Sequence, residues 1–145
     1  MPSVLVDTDT LYQFLVGSEG LSPGAVQLIE KAIETGDLFI SVVTVIQLKD
    51  LNARKRLTDA DLSKLEKVLI AFPSRIQVLP LDYQTALHFE SVLDNSKFAE
   101  RAVVATAHLH GMTLVTTNAG LRGNPAIDTL WAGEPRLVVA GVRSK

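Results

Sequence analysis

The chain has 145 residues, 47% of them hydrophobic, which suits one domain with a proper core and argues against extended disorder. Lys and Arg number 14 against 16 Asp and Glu, so no overall field draws the chain to a polyanion, and any nucleic-acid contact must come from a local basic patch. The absence of Cys removes disulfide frameworks, thiolate nucleophiles and cysteine-ligated zinc, and the lack of a signal-peptide pattern or a bilayer-length apolar run makes a soluble cytoplasmic protein the expectation.

Short apolar runs alternate with segments of helical periodicity, the pattern of βαβ units around a mostly parallel sheet. Ser3 to Val6 is the first predicted strand. A helix follows over about Thr10 to Val16 and stops at the Gly17 to Gly20 turn, with Asp9 a candidate cap. Ser22 caps a second helix that carries Pro23 in its first turn and runs to Thr35, ahead of Gly36. Leu38 to Val43 is β-rich, and Thr44 to Arg54 is helical. Thr58 caps a helix in which Leu62, Leu65, Val68 and Leu69 share a face, and Pro73 ends it. Ile76 to Leu79 is the third strand, Tyr83 to Leu93 a helix, Ala99 to His110 a helix closed by Gly111, and Thr113 to Thr116 a fourth strand. In the tail either Ile127 to Trp131 or Leu137 to Ala140 adds an edge strand. No internal repeat or long linker appears, so residues 1–145 read as one domain.

In an open α/β sheet the ligand site lies beyond the carboxyl ends of the strands, so residues just after each apolar run carry the chemistry. The first strand ends in Asp7-Thr8-Asp9. The second leads to Thr44 and, three residues on, Gln47. Glu100 opens the helix that ends at Gly111, and the fourth strand ends in Thr116-Thr117-Asn118. Hard oxygen ligands without Cys or clustered His favour Mg²⁺ or Mn²⁺ over zinc. Each residue also has a plainer role: a strand-end Asp caps the next helix, Glu100 complements a helix dipole, and Asn118 suits a turn. Only the four positions together are informative.

The blocks VLVDTD, ISVVTVIQL, LPLDYQTA and AERAVVATAHLHGMTLVTTNAGL, in this order and spacing, resemble the PIN-domain proteins, in particular the VapC-type toxins of toxin–antitoxin pairs. The resemblance implies an α/β/α sandwich and a Mg²⁺-dependent endoribonuclease whose acidic site draws one residue from each block: here Asp7, Gln47, Glu100 and Asn118. It also implies a small antitoxin partner and a homodimer, for which the apolar faces Leu62 to Leu69 and Leu87 to Leu93 offer surface. The family usually carries Glu, Asp and Asp at the last three positions. This chain has two amides and a lengthened acid there, with Asp9 returning one negative charge where the family often has Asn.

An amide oxygen can coordinate Mg²⁺ but supplies no formal charge and no base, so Asp7, Glu100 and Asp9 are the candidate metal ligands and one ion is expected rather than two. Gln47 and Asn118 would orient ligands or waters in a reaction whose nucleophile is water. Thr8, Thr44 and Thr116 are candidate supports. Arg54, Lys55, Arg56 and Arg101 are candidate RNA contacts, against the plainer reading of a solvated helix end. His108 and His110 are two apart on one helix and point in different directions, which speaks against a metal pair. The rival to an enzyme is a PIN-fold module that binds RNA or protein without cutting. A generic nucleotide binder is disfavoured by the lack of GxGxxG or GxxxxGK[ST].

Overall fold

The computed structural model describes residues 3–89, 97–121, 129–131 and 133. β1 (Val4–Val6) is buried throughout and lies at the centre of the sheet. β2 (Leu38–Ser41) pairs with it on one side and β4 (Thr113–Thr116) on the other, while β3 (Ile76–Leu79) and β5 (Thr129–Trp131) form the edges. Every pairing between these five strands is parallel, and the order is β3-β2-β1-β4-β5. The chain therefore winds outward from β1 in one direction and then crosses back, which makes the gap between β1 and β4 the topological switch point. Of the two tail segments, 129–131 supplies the edge strand; 137–140 lies outside the described residues.

Local chemistry sets most of the helix ends. α1 (Thr8–Val16) is capped by Asp7, whose Oδ1 accepts from the Thr10 amide at 3.0 Å, so the helix starts two residues before the sequence suggests and Asp7, not Asp9, is the cap. α2 (Pro23–Thr35) has Ser22 as cap and proline at its start, as expected. Ser41 caps α3 (Val42–Ala53) through a bond from the Val43 amide at 3.1 Å, which takes Val42 and Val43 out of the predicted strand. β-propensity there yields to a serine able to cap. Thr58 caps α4 (Asp59–Ala71). α5 (Tyr83–Ala86) is capped by Asp82 and covers only the start of the predicted 83–93 helix, of which 90–93 lies outside the described residues. α6 (Phe98–His110) ends, as expected, at Gly111 in the left-handed region.

Because β1 is buried on both faces, its alternating side chains feed two cores. Val4 and Val6 join Leu11, Ile29, Leu48 and Leu65 under α1 to α4; Leu5 joins Val103, Val104 and Leu114 under α6. Helices on both faces of the sheet make the expected three layers. Leu62 and Leu65 are buried in the first core, with Val68 and Leu69 packed against it. The Leu62 to Leu69 face is thus consumed within the chain and is not spare surface for a second copy.

Two helix ends differ in a way that can be measured. Gly17 and Gly36 both hold positive φ, 73° and 77°, but a Cβ on Gly17 meets open space, whereas one on Gly36 would lie 2.9 Å from the Ser74 carbonyl oxygen. Gly17→Ala should cost about 1–2 kcal/mol, the left-handed penalty alone. Gly36→Ala should cost clearly more in denaturant unfolding. Equal losses would show that the Ser74 turn moves aside freely.

Candidate active site

Four chain segments meet at the carboxyl edge of the sheet, over the β1–β4 switch point. Together they line a cleft of about 670 Å³ that includes Asp7, Asp9, Gln47, Glu100 and Asn118. Asp7 forms its floor: only 8% of it is exposed. Its Oδ1 is held by the α1 N-terminus, and its Oδ2 accepts a short hydrogen bond from the Thr116 hydroxyl at the end of β4. Thr116 accepts in turn from the Asn118 amide N–H at 2.9 Å, so the hydroxyl couples the first acid to the turn that carries the fourth position. Burial pushes the Asp7 carboxyl above its ordinary 3.8; the bonds from Thr10 and Thr116 oppose this and the neighbouring Asp9 charge adds to it.

The two amides are placed by hydrogen bonds of their own. The Thr8 hydroxyl donates to Gln47 Oε1 at 2.5 Å and lies 2.9 Å from the Thr44 hydroxyl, which is fully buried. With the Thr8 proton committed to Gln47, Thr44 is the donor in that second contact. Asn118 Nδ2 donates to Glu100 Oε2 at 3.1 Å. A carboxylate at position 118 would face Glu100 charge to charge, so the amide converts a repulsion into a bond. Asp9 stands at the exposed rim, where Thr117 Oγ1 donates to its Oδ2 at 2.9 Å and Gln13 Nε2 at 3.2 Å.

The donor set is all oxygen and hard. Asp7, Asp9 and Glu100 all line the cleft, yet among the described residues no three Asp, Glu or His side chains gather closely enough to hold a metal ion. Two carboxylates with amide and water oxygens is nevertheless the way Mg²⁺ is commonly held, since it keeps several waters and shares substrate phosphates. The donor chemistry of the lining therefore suits a hydrated divalent ion, with no closed cage among the described residues.

The basic residues divide. Arg56 lines the cleft, whereas Arg54 is paired with Asp50 at 3.0 Å and neither it nor Lys55 reaches the lining. Arg101 also stays outside the lining; its guanidinium lies over the Phe89 ring at 5.5 Å, and its buried Nε has no hydrogen-bond partner among the described residues. Lys97 lines the cleft and was not legible from sequence, because nothing local marks a lysine before a helix as functional. Thr10, Gln13 and Thr117 were missed for the same reason. His108 meets His88, Nδ1 to Nδ1 at 2.6 Å, rather than His110, and both lie away from the cleft.

Comparison with known proteins adds the following. The PIN-domain family model matches residues 4–125. No curated protein sequence matches. Among solved structures, VapBC2 from Rickettsia felis bound to a DNA fragment from its promoter is similar at a TM-score of 0.69, with 14% identity over 89% of this chain and 98% of that one. A DNA-bound VapBC from Salmonella typhimurium aligns at 0.61, with 20% identity over 90% and 98%. A toxin–antitoxin complex from Klebsiella pneumoniae aligns at 0.61, with 18% identity over 86% and 95%. At such identities the likeness is one of fold.

The buried acid makes a pH-dependent prediction. A carboxyl with a raised folded pKa binds its proton more tightly in the folded chain, so its contribution to stability is fully present below about pH 3.8 and is lost as pH rises through the folded value. Asp7→Asn keeps a capping oxygen and removes the buried charge. Its melting temperature should exceed that of the wild type at pH 8, and the gap should close toward pH 4. A variant that melts lower at pH 8 would show that the charged hydrogen bonds outweigh burial.

Proposed function

We propose that this chain, which belongs to the PIN-domain family, is a metal-dependent endoribonuclease and the toxin of a toxin–antitoxin pair. The observation that carries the reading is the convergence of Asp7, Gln47, Glu100 and Asn118, from four separate segments, on one cleft at the switch point of a parallel sheet. PIN-domain nucleases generally use a divalent metal, and Mg²⁺ or Mn²⁺ suits the oxygen donors here. When bound, the ion would supply a Lewis acid that activates a water and offsets charge on a phosphodiester oxygen.

The chain's own residues then have separable tasks. Asp7 and Glu100 would hold the ion. Thr116 and the α1 N-terminus keep the Asp7 carboxylate in one orientation. Thr8 takes up the Gln47 carbonyl oxygen, which leaves the amide nitrogen to donate to a water or a phosphate oxygen. Asn118 fixes Glu100 through its amide group. The substrate in this reading is a structured RNA, and the partner is a small antitoxin, in keeping with the toxin–antitoxin complexes that the fold resembles. Homodimerisation is part of the proposal: Tyr83 on α5, Leu87 just after it and Phe98 on α6 are 76%, 63% and 66% exposed, and the two helices pack together. So is a cytoplasmic location; no described helix is long and apolar enough to cross a membrane.

A second reading is favoured by one specific feature. Gln47 Oε1 and Asn118 Nδ2 are each held by a hydrogen bond within the cleft, so the two amides are positioned without metal, as would suit a PIN-fold module that binds RNA or protein without cutting.

Purified protein incubated with total RNA and Mn²⁺ should yield discrete fragments, and Asp7→Asn should abolish them. Since that variant is expected to melt higher at neutral pH, the loss could not be ascribed to unfolding. Equal cleavage by both proteins would remove the site.

The amides offer a finer test. Gln47→Glu preserves an acceptor for Thr8 and should cost little, whereas Asn118→Asp sets a carboxylate against Glu100 and should destabilise the metal-free protein by about 1–3 kcal/mol. The double variant should bind Mn²⁺ more tightly, recover its melting temperature when the ion is added, and cleave faster. If it gains neither affinity nor cleavage, the module reading replaces the enzyme.

A further inference from the structure

We propose that Arg56 and Lys97 form a clamp for the phosphodiester backbone of a single RNA strand, an inference that rests on the ribonuclease reading and names how its substrate is held. The cleft is lined by three carboxylates, Asp7, Asp9 and Glu100, and by two cations, Arg56 and Lys97. A phosphate brought to an acidic floor is repelled unless fixed positive charge stands beside it. Arg56 comes from the turn after α3 and Lys97 from the residue before α6, so the two cations approach the cleft from different elements. Both are exposed, and neither forms an ion pair among the described residues.

Other cations are engaged elsewhere. Arg54 pairs with Asp50, Lys49 with Glu66 and Lys64 with Asp61, while Arg75 and Arg101 lie over phenylalanine rings. The basic run 54–56 is therefore not a diffuse patch: one of its three residues lines the cleft and the other two do not.

That placement is built into the backbone. α3 ends in a Schellman turn, with Arg56 N–H bonded to Leu51 O at 2.9 Å and Lys55 N–H to Asn52 O at 3.0 Å. Its left-handed position, φ 62°, is held by Lys55 where glycine would be unstrained. Beyond it the chain is pinned twice: the Tyr12 hydroxyl donates to the Arg56 carbonyl at 2.9 Å, and Leu57 is buried in the core. With its backbone fixed by this turn and these anchors, Arg56 is held in its place in the cleft lining.

The size of the cleft selects the form of nucleic acid. A volume of about 670 Å³ is that of a small-ligand pocket and cannot enclose a duplex, so the segment whose phosphates enter it is an unpaired strand. A single-stranded loop of a structured RNA meets both conditions.

The test is binding without cleavage. A short fluorescein-labelled oligouridylate is titrated with the full chain in EDTA, and fluorescence polarisation is followed at several salt concentrations. Arg56→Ala and Lys97→Ala should each weaken binding about three- to tenfold and flatten the slope of log Kd against log salt by roughly 0.7. Lys97→Glu should weaken it further. Arg54→Ala and Lys55→Gly, the latter removing a charge while relaxing the turn, should stay within about twofold of wild type. Comparable losses in all of these variants would show a diffuse basic surface and overturn the clamp, as would undiminished binding by the Arg56 and Lys97 variants or no binding by the wild type. Equal affinity for a blunt RNA duplex would overturn the selection of a single strand. Because the assay needs neither metal nor turnover, the clamp can stand if the chain cuts nothing, and can fall if the chain cuts RNA.

Discussion

The short bond between the Thr116 hydroxyl and the Asp7 carboxylate joins the ends of the two strands that border the switch point, and much else follows from it. Asp7 is at once the cap that starts α1 and the floor of the cleft. Those roles pull in opposite directions. Capping and the Thr116 bond favour the charged form, while burial opposes it more strongly. A fixed charge kept this far from water is stable only within a rigid frame, and the parallel sheet supplies one. β1 is covered on both faces, and its ladder to β4 continues past the strand through the Asp7 N–H and the Val115 carbonyl.

Around this acid the cleft is organised by neutral donors. Hydroxyls of Thr8, Thr44, Thr116 and Thr117, together with the amides of Gln47 and Asn118, bond to the acids and to one another. A set of four carboxylates this close would depend on cations to hold it together. With amides at Gln47 and Asn118 that work falls to hydrogen bonds. Gln47 and Asn118 thus order the cleft by hydrogen bonds where two further carboxylates would repel.

The distribution of positive charge follows a similar economy. A chain with a formal charge of −2 has no general attraction for nucleic acid. Local placement is all that is available to it: among the described residues Lys49, Arg54 and Lys64 are taken up in surface ion pairs and Arg75 and Arg101 lie over phenylalanine rings, while Arg56 and Lys97 line the cleft. Lys55 marks the contrast, since a residue held at φ 62° beside a pinned Arg56 is a local cost borne by a specific turn.

Helix starts at Ser22 and Thr58, the stops at Gly17, Gly36 and Gly111, the strands at β1, β3 and β4 and the alternation that implies a parallel sheet were all legible in sequence, because caps, turn residues and periodicity act over a few neighbouring residues. The segments that meet at the site were legible too, since strand ends in an open sheet converge by topology. Where the reading slipped, two local signals competed: Val42 and Val43 favoured a strand until Ser41 capped the helix, and Asp9 was as good a cap by type as Asp7. Only the folded chain decides which of Arg54, Lys55 and Arg56 faces the cleft, that Lys97 joins it, that His108 meets His88, and that Asp7 finds Thr116 across 109 positions. Those outcomes depend on the relative placement of whole elements packed by an apolar core, and a core formed by non-directional burial leaves no mark on the polar residues it brings together.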